Sequence, residues 1–270
     1  MPAKGATTEI GEAPVKEPRD VDGPATAPER AGEVRVDAVS RAFHTRRGRV
    51  DALAGMSLRA DPDEVVAVVG PSGCGKTTLL ELICGLQRPD AGTVLAAPAA
   101  LMPQRDLLLP WLTAIDNAGL ALRARGVGRE VARRQAAPWL ERFGLAEFES
   151  TRPAQLSGGM RQRVSFLRTL LSGKPVLALD EPFASLDAIT RYEMRQWLAH
   201  VLEIEPRTVV LVTHDVEEAV LLSDRVIVMS PRPGRAIAEL VVDLPRPRAA
   251  TDASVVELRE RALEALGVRR

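Results

Sequence analysis

Lysine is scarce in this chain. Of 36 basic residues only Lys4, Lys16, Lys76 and Lys174 are lysines, and the rest are arginines. A lysine inside a glycine-rich loop, as Lys76 is, therefore marks a place where the flat guanidinium would not serve. Acidic residues also number 36, so formal net charge is zero. That excludes the basic field that draws proteins to nucleic acid. Cys74 and Cys84 are the two cysteines. They make no disulfide framework and read as reduced thiols of a cytosolic protein. No run of about 18 apolar residues is present, which excludes a membrane-spanning helix. The first residues lack the apolar stretch of a signal peptide, and no internal repeat is found. What is abundant is apolar side chain, at 46% of 270 residues, ample for one large domain or one core with a subdomain.

Residues 1–32 are rich in Pro, Gly, Ala, Glu and Thr. That composition cannot offset the entropy of ordering, so a disordered tail is expected. Glu33-Val34-Arg35-Val36 alternates like a strand. Val65–Val69 is wholly apolar and β-branched apart from Ala67, the pattern of a strand buried on both faces. Val176–Leu179, Thr208–Val212 and Arg225–Met229 repeat it, separated by helix-like segments. The alternation predicts an α/β domain with a mostly parallel sheet. From about 106 to 169 the chain turns Ala-, Leu- and Arg-rich with helical spacing, predicting an inserted helical subdomain. After the break at Pro231, Pro233 and Gly234, residues 236–270 read as an edge strand over Ala236–Leu244 and a helix. Asp252-Ala253-Ser254 would cap that helix, and its apolar face carries Val255, Leu258, Ala262 and Leu266.

Gly70-Pro71-Ser72-Gly73-Cys74-Gly75-Lys76-Thr77 is a complete P-loop pattern, followed by Thr78 and a helix-forming segment. In such a loop backbone N–H groups converge on the phosphates of a nucleotide, Lys76 reaches the β- and γ-phosphates, and the Thr77 hydroxyl ligates Mg²⁺. Val176–Leu179 ends in Asp180-Glu181. At the ligand edge of a parallel sheet Asp180 would hold Mg²⁺, and Glu181 would polarise the attacking water. Gln104 follows the apolar Leu101-Met102, and its neutral amide could touch both the metal and that water. His214 ends another buried strand and would donate to the γ-phosphate. Phe43 could stack on adenine, but taken alone it reads first as core packing.

Leu156-Ser157-Gly158-Gly159-Met160-Arg161-Gln162-Arg163 says more. Small residues at a helix start meet a phosphate only through backbone N–H groups and a hydroxyl. The chain has its own P-loop for that task, so Ser157, Gly158 and Gly159 point to a nucleotide held by another copy.

The ordered set of Gly70–Thr77, Gln104, Leu156–Met160, Asp180-Glu181, Ser185-Leu186-Asp187 and His214 resembles the ATP-binding-cassette ATPases over about residues 33–235. The family often has Gln where Met160 stands. The resemblance implies a P-loop NTPase core with a mostly parallel sheet, an antiparallel β subdomain and an inserted helical subdomain. It implies ATP and Mg²⁺ as ligands and Phe43 as the adenine-stacking aromatic. It also implies two subunits packed head to tail, with Ser157, Gly158 and Gly159 on the ATP held by the partner. Leu107–Thr113, Asp116-Asn117, Val212–Ala219 and Pro231–Arg235 are similar to importer ATPases of the nitrate, sulfonate and taurine type. That group includes transporters for pyrimidine precursors of thiamine, to which Met102–Asp106 and Phe166–Leu170 lean slightly. The partners so implied are a second ATPase subunit, most simply a homodimer, and a transmembrane permease docked near Leu107–Asn117. An extracytoplasmic solute-binding protein would be reached through the permease, and no nucleic acid is involved. The place of work would be the cytoplasmic face of the membrane.

Two other classes compete. A soluble cassette ATPase acting on DNA or ribosomes calls for two cassettes in one chain, coiled-coil insertions or basic arms. A P-loop small-molecule kinase needs a second substrate pocket and a lid, and leaves Leu156–Met160 without a task.

Overall fold

The structure is a computed structural model that describes residues 31–46 and 48–268. The tail expected over residues 1–32 lies outside these residues except for Ala31 and Gly32, which form a turn into the first strand. β1 (Val34–Thr45) and β2 (Gly48–Ala60) are antiparallel. β3 (Val65–Val69) buries all five residues, and α1 (Lys76–Ile83) follows it after the P-loop. β4 (Ala91–Ala96) pairs with β1 and completes a three-stranded sheet in the order β2-β1-β4.

β5 (Ala99–Met102) leads into a helical stretch of α2 (Ala114–Ala118), α3 (Leu120–Ala124), α4 (Arg129–Arg142) and α5 (Gly158–Leu170). Strand and helix then alternate through β6 (Val176–Asp180), α6 (Ala188–Ile204), β7 (Thr208–Thr213), α7 (Val216–Leu222) and β8 (Arg225–Met229). β9 (Ala236–Val241) and α8 (Ala253–Ala265) follow. The second sheet has the order β5-β6-β7-β3-β8-β9, parallel except for β9 at the edge. The expected edge strand over residues 236–244 thus ends at Val241.

The apolar runs follow from what covers each face. Val65, Ala67 and Val69 of β3, Leu177 and Leu179 of β6, and Val209 and Leu211 of β7 join one core with α5 to α8. The alternate residues Val66, Val68, Val176, Ala178, Val210 and Val212 face a second core. There they meet Leu79 and Leu80 of α1 and Val36, Leu53 and Met56 of the antiparallel sheet. Each fully buried valine or leucine contributes about 1.5–3 kcal/mol of transfer free energy, so a polar residue at any of these positions would be costly. α8 packs Val255, Leu258 and Ala262 on the first core. Asp252 stands at its N-cap position, but the carboxylate accepts from Ala249 N rather than from a helix N–H, which corrects the capping expected of it. Among the described residues no helix is long and apolar enough to cross a membrane.

Candidate active site

The P-loop joins the end of β3 to α1 and closes on itself. Lys76 is 5% exposed, and its Nζ donates to the carbonyls of Gly70 at 2.9 Å and Pro71 at 3.2 Å. Gly75, at φ 112°, takes the left-handed conformation that starts α1. A Cβ there would stand 2.7 Å from Ala52 O, so only glycine fits. Gly70 and Pro71 therefore serve through their carbonyls, and Pro71 has no N–H to offer a phosphate.

Cys74 does not face the cleft. Its N–H donates to Pro71 O at 3.3 Å, and its side chain, 1% exposed, lies in the second core. Burial pushes its thiol pKa up. The Cys74 side chain is therefore turned inward, away from the cleft.

The catalytic candidates converge from three strand ends. Thr77 Oγ1 donates to Asp180 Oδ2 at 2.9 Å across 103 residues of sequence. Burial, the largest cause, raises the Asp180 pKa, and the Thr77 hydrogen bond and Lys76 oppose it. Glu181 follows β6 in a left-handed turn at φ 44°, held by its N–H to Val212 O at 2.8 Å. Its Oε2 accepts from Gln104 Nε2 at 3.2 Å and stands 3.2 Å from His214 Nδ1. Its Oε1 lies 3.7 Å from Lys76 Nζ. One carboxylate therefore touches a lysine, an amide and an imidazole.

Phe43, Val50, Ala52, Ser72, Gly73, Gly75, Lys76, Thr77, Thr78, Gln104, Glu181 and Arg232 line one cleft of about 340 Å³. Phe43 forms its apolar end, with the Arg41 guanidinium 5.1 Å from the ring centroid. Arg232 was not among the residues expected from sequence. The signal available was its place in Pro231–Arg235, a charged residue between two prolines.

Ser157, Gly158 and Gly159 do not line this cleft. Ser157 caps α5, accepting from Met160 N at 3.2 Å, and is exposed. Gly159 is buried, and a Cβ on it would stand 2.8 Å from Thr190 Cγ2 on α6. Close packing of α5 on α6 is thus one physical reason for glycine at that position.

The segment after Gln104 is clasped to α5. Arg161 Nε donates to Asp106 Oδ2 at 3.0 Å, and Arg168 donates to the carbonyls of Asp106 and Leu107. Asn117 is buried and binds Leu109 N–H and the carbonyls of Leu109, Leu112 and Thr113. These bonds leave Leu107 58% and Trp111 68% exposed on a fixed loop.

Comparison with known proteins gives the same direction. A family model described as ABC transporter matches residues 53–184. The chain is 46% identical to the formylaminopyrimidine import ATP-binding protein ThiZ of Halalkalibacterium halodurans over 69% of this chain and 76% of that protein. It is 42% identical to the taurine import ATP-binding protein TauB of Burkholderia pseudomallei over 77% of this chain and 84% of that protein. Among solved structures it is similar to an ATP-binding cassette described as a dimer in a post-hydrolysis state with ADP and Pi. The TM-score there is 0.69 at 29% identity, covering 78% of this chain and all of that one.

Proposed function

Because the chain belongs to the ABC transporter family, as an ATP-hydrolysing ATP-binding protein, we propose that it is the energy-coupling subunit of a solute importer. Its solute is a sulfonate such as taurine, a related anion such as nitrate, or a pyrimidine precursor of thiamine. The convergence of Lys76, Gln104 and His214 on Glu181 carries the hydrolytic reading. The names of ThiZ and TauB support the importer reading.

The residues divide the work by position. On binding ATP, Lys76 would exchange its two loop carbonyls for phosphate oxygens, while the N–H groups at the start of α1 face the same charge. Phe43 would stack on the base. The hard oxygens Thr77 Oγ1 and Asp180 Oδ2 fit Mg²⁺. Among the described residues no three His, Cys, Asp or Glu cluster into a metal cage, which suits a Mg²⁺ that draws its other ligands from phosphate and water. The ion would neutralise charge on the phosphates. Glu181 would polarise the attacking water, with Gln104 and His214 fixing its carboxylate and facing the γ-phosphate.

Ser157, Gly158 and Gly159 would meet the ATP held by a second subunit, so ATP would favour the closed dimer by contacts made only in that state. Gln104 leads directly into Asp106, which is bonded to α5 through Arg161. Occupancy of the cleft, the dimer-facing helix and the Leu107–Trp111 loop are thereby linked. The exposed Leu107 and Trp111 offer an apolar surface to a permease loop at the cytoplasmic face of the membrane.

The test is a tagged pull-down from detergent-solubilised membranes with mass spectrometry of the partners. A polytopic permease in the complex supports the proposal, and its solute-binding protein can then be screened against sulfonates, nitrate and pyrimidine precursors. A purely soluble complex rejects the importer reading.

A further inference from the structure

We infer that Arg232 is a nucleotide-contacting residue, a second cation beside Lys76 for the polyphosphate held in the cleft; the inference rests on the nucleotide reading of that cleft. Arg232 lies between β8 and β9, yet it lines the cleft with Gly73, Lys76 and Thr77. Its Nε donates to Gly73 O at 2.9 Å across 159 residues of sequence. Its Nη2 lies 3.2 Å from where a Cβ on Gly73 would be. Two arginines farther off along the chain are used differently: Arg225 pairs with Glu64 and Glu239, and Arg246 with Asp224. Arg232 has no carboxylate partner among the described residues, and its carbonyl contact neutralises no charge.

The loop that carries Arg232 is fixed from both sides. Gly234 N donates to Ala52 O at 2.9 Å, and Ala54 N donates to Gly234 O at 3.1 Å, joining the loop to β2. A Cβ on Gly234 would collide with Cys74 O of the P-loop. Ser230 Oγ accepts from Arg235 N at 3.1 Å and donates to Pro233 O at 3.0 Å. Pro231 and Pro233 restrict the backbone on either side. The guanidinium is therefore delivered to the P-loop by a braced strap, and little ordering remains to be done on binding.

Charge decides what it is for. Among the cleft-lining residues Lys76 and Arg232 are the cations, and Glu181 is an anion. A triphosphate brings several more negative charges, which Lys76 and one Mg²⁺ together do not balance. With Nε on Gly73 O, the two terminal nitrogens remain to donate to phosphate oxygens, the geometry in which arginine surpasses lysine. The apolar end at Phe43, Val50 and Ala52 suits the base, and the guanidinium is bonded to Gly73 of the P-loop, which puts its contact on the phosphate side.

The test compares wild type, Arg232→Gln and Arg232→Lys in titrations of fluorescent ATP, ADP and AMP analogues with Mg²⁺, alongside nucleotide-free melting. Gln keeps a donor for Gly73 without the charge, and Lys keeps the charge without the fork. The expected result is about tenfold weaker ATP and ADP binding for Arg232→Gln. AMP affinity should change less than about twofold, the Lys variant should fall between, and nucleotide-free melting should be unchanged. Equal ATP affinity in wild type and Arg232→Gln overturns the inference. So does equal weakening for all three nucleotides, or a lowered nucleotide-free melting temperature that accounts for the loss, since either leaves Arg232 only a role in shaping the loop. A wild-type chain that binds none of the nucleotides removes the nucleotide reading itself, and the inference with it.

Discussion

His214 Nδ1 stands 3.2 Å from Glu181 Oε2, although the two residues leave different strands. The relationship follows from register. β6 and β7 pair Asp180 with Val212, and Glu181 N then bonds Val212 O, so both chains leave the sheet at the same level.

Replacing that carboxylate separates binding from chemistry. Glu181→Gln should keep ATP affinity and lose about two to four decades of hydrolysis, the worth of a general base. Phosphate release and nucleotide titration measure the two parts, and size-exclusion chromatography with ATP should show a trapped dimer. Normal turnover in the variant rejects the assignment of Glu181.

Lys76→Ala removes the cation and its bonds to the Gly70 and Pro71 carbonyls, and Pro71 O keeps only the Cys74 N–H. Nucleotide affinity should fall by at least about tenfold, because a charge-assisted contact is worth about 1.5–3 kcal/mol. Calorimetry reads this directly, and unchanged affinity would contradict the role given to Lys76.

The thiols should be silent in the folded chain. Cys74 is 1% exposed with a raised pKa, and burial pushes Cys84 up to about 11. A thiol reagent near pH 7.5 should label both slowly with or without ATP, and rapidly in denaturant. Fast labelling of Cys74 that ATP blocks would show its side chain in the cleft after all.

Glu218 gives stability a pH dependence. It is 3% exposed on α7, and its Oε1 has no hydrogen-bond partner among the described residues. Burial first, then Asp215, raise its pKa from 4.5 to about 8 against the opposing pull of Arg195, Thr213 and Arg191. Between these values the unfolded chain has lost a proton that the folded chain retains, so stability falls as pH rises through that window. Glu218→Gln should flatten the melting profile there, with its largest gain over wild type near the top of the window. Parallel profiles for the two proteins would refute a buried, protonated Glu218.

Strands buried on both faces were legible in the sequence because a short, unbroken, β-branched run suits neither an amphipathic helix nor a strand with one wet face. β3 and β7 are wholly buried, as their composition required. β2 and β4 were not read from their residues. Gly48–Ala60 mixes buried and exposed positions, and its partner shifts register between Val36 and Ala42, which blurs the period of two. In the cleft, Gln104, Glu181 and His214 could be placed together because each ends an apolar segment of a parallel sheet. The side of the backbone on which Cys74 lies was not readable from a glycine pattern. Nor was Arg232, whose neighbour Gly73 is 159 residues away and whose loop carries no phosphate-binding pattern of its own.

The shared register of β6 and β7 also defines a unit of inheritance. Side chains alternate between two different cores along each strand, so a slip of one residue would turn both strands inside out and part Glu181 from His214. Chimeras of related cassettes that exchange the stretch from 176 to 214 whole retain the pair. Chimeras with a junction inside it must rebuild two cores at once.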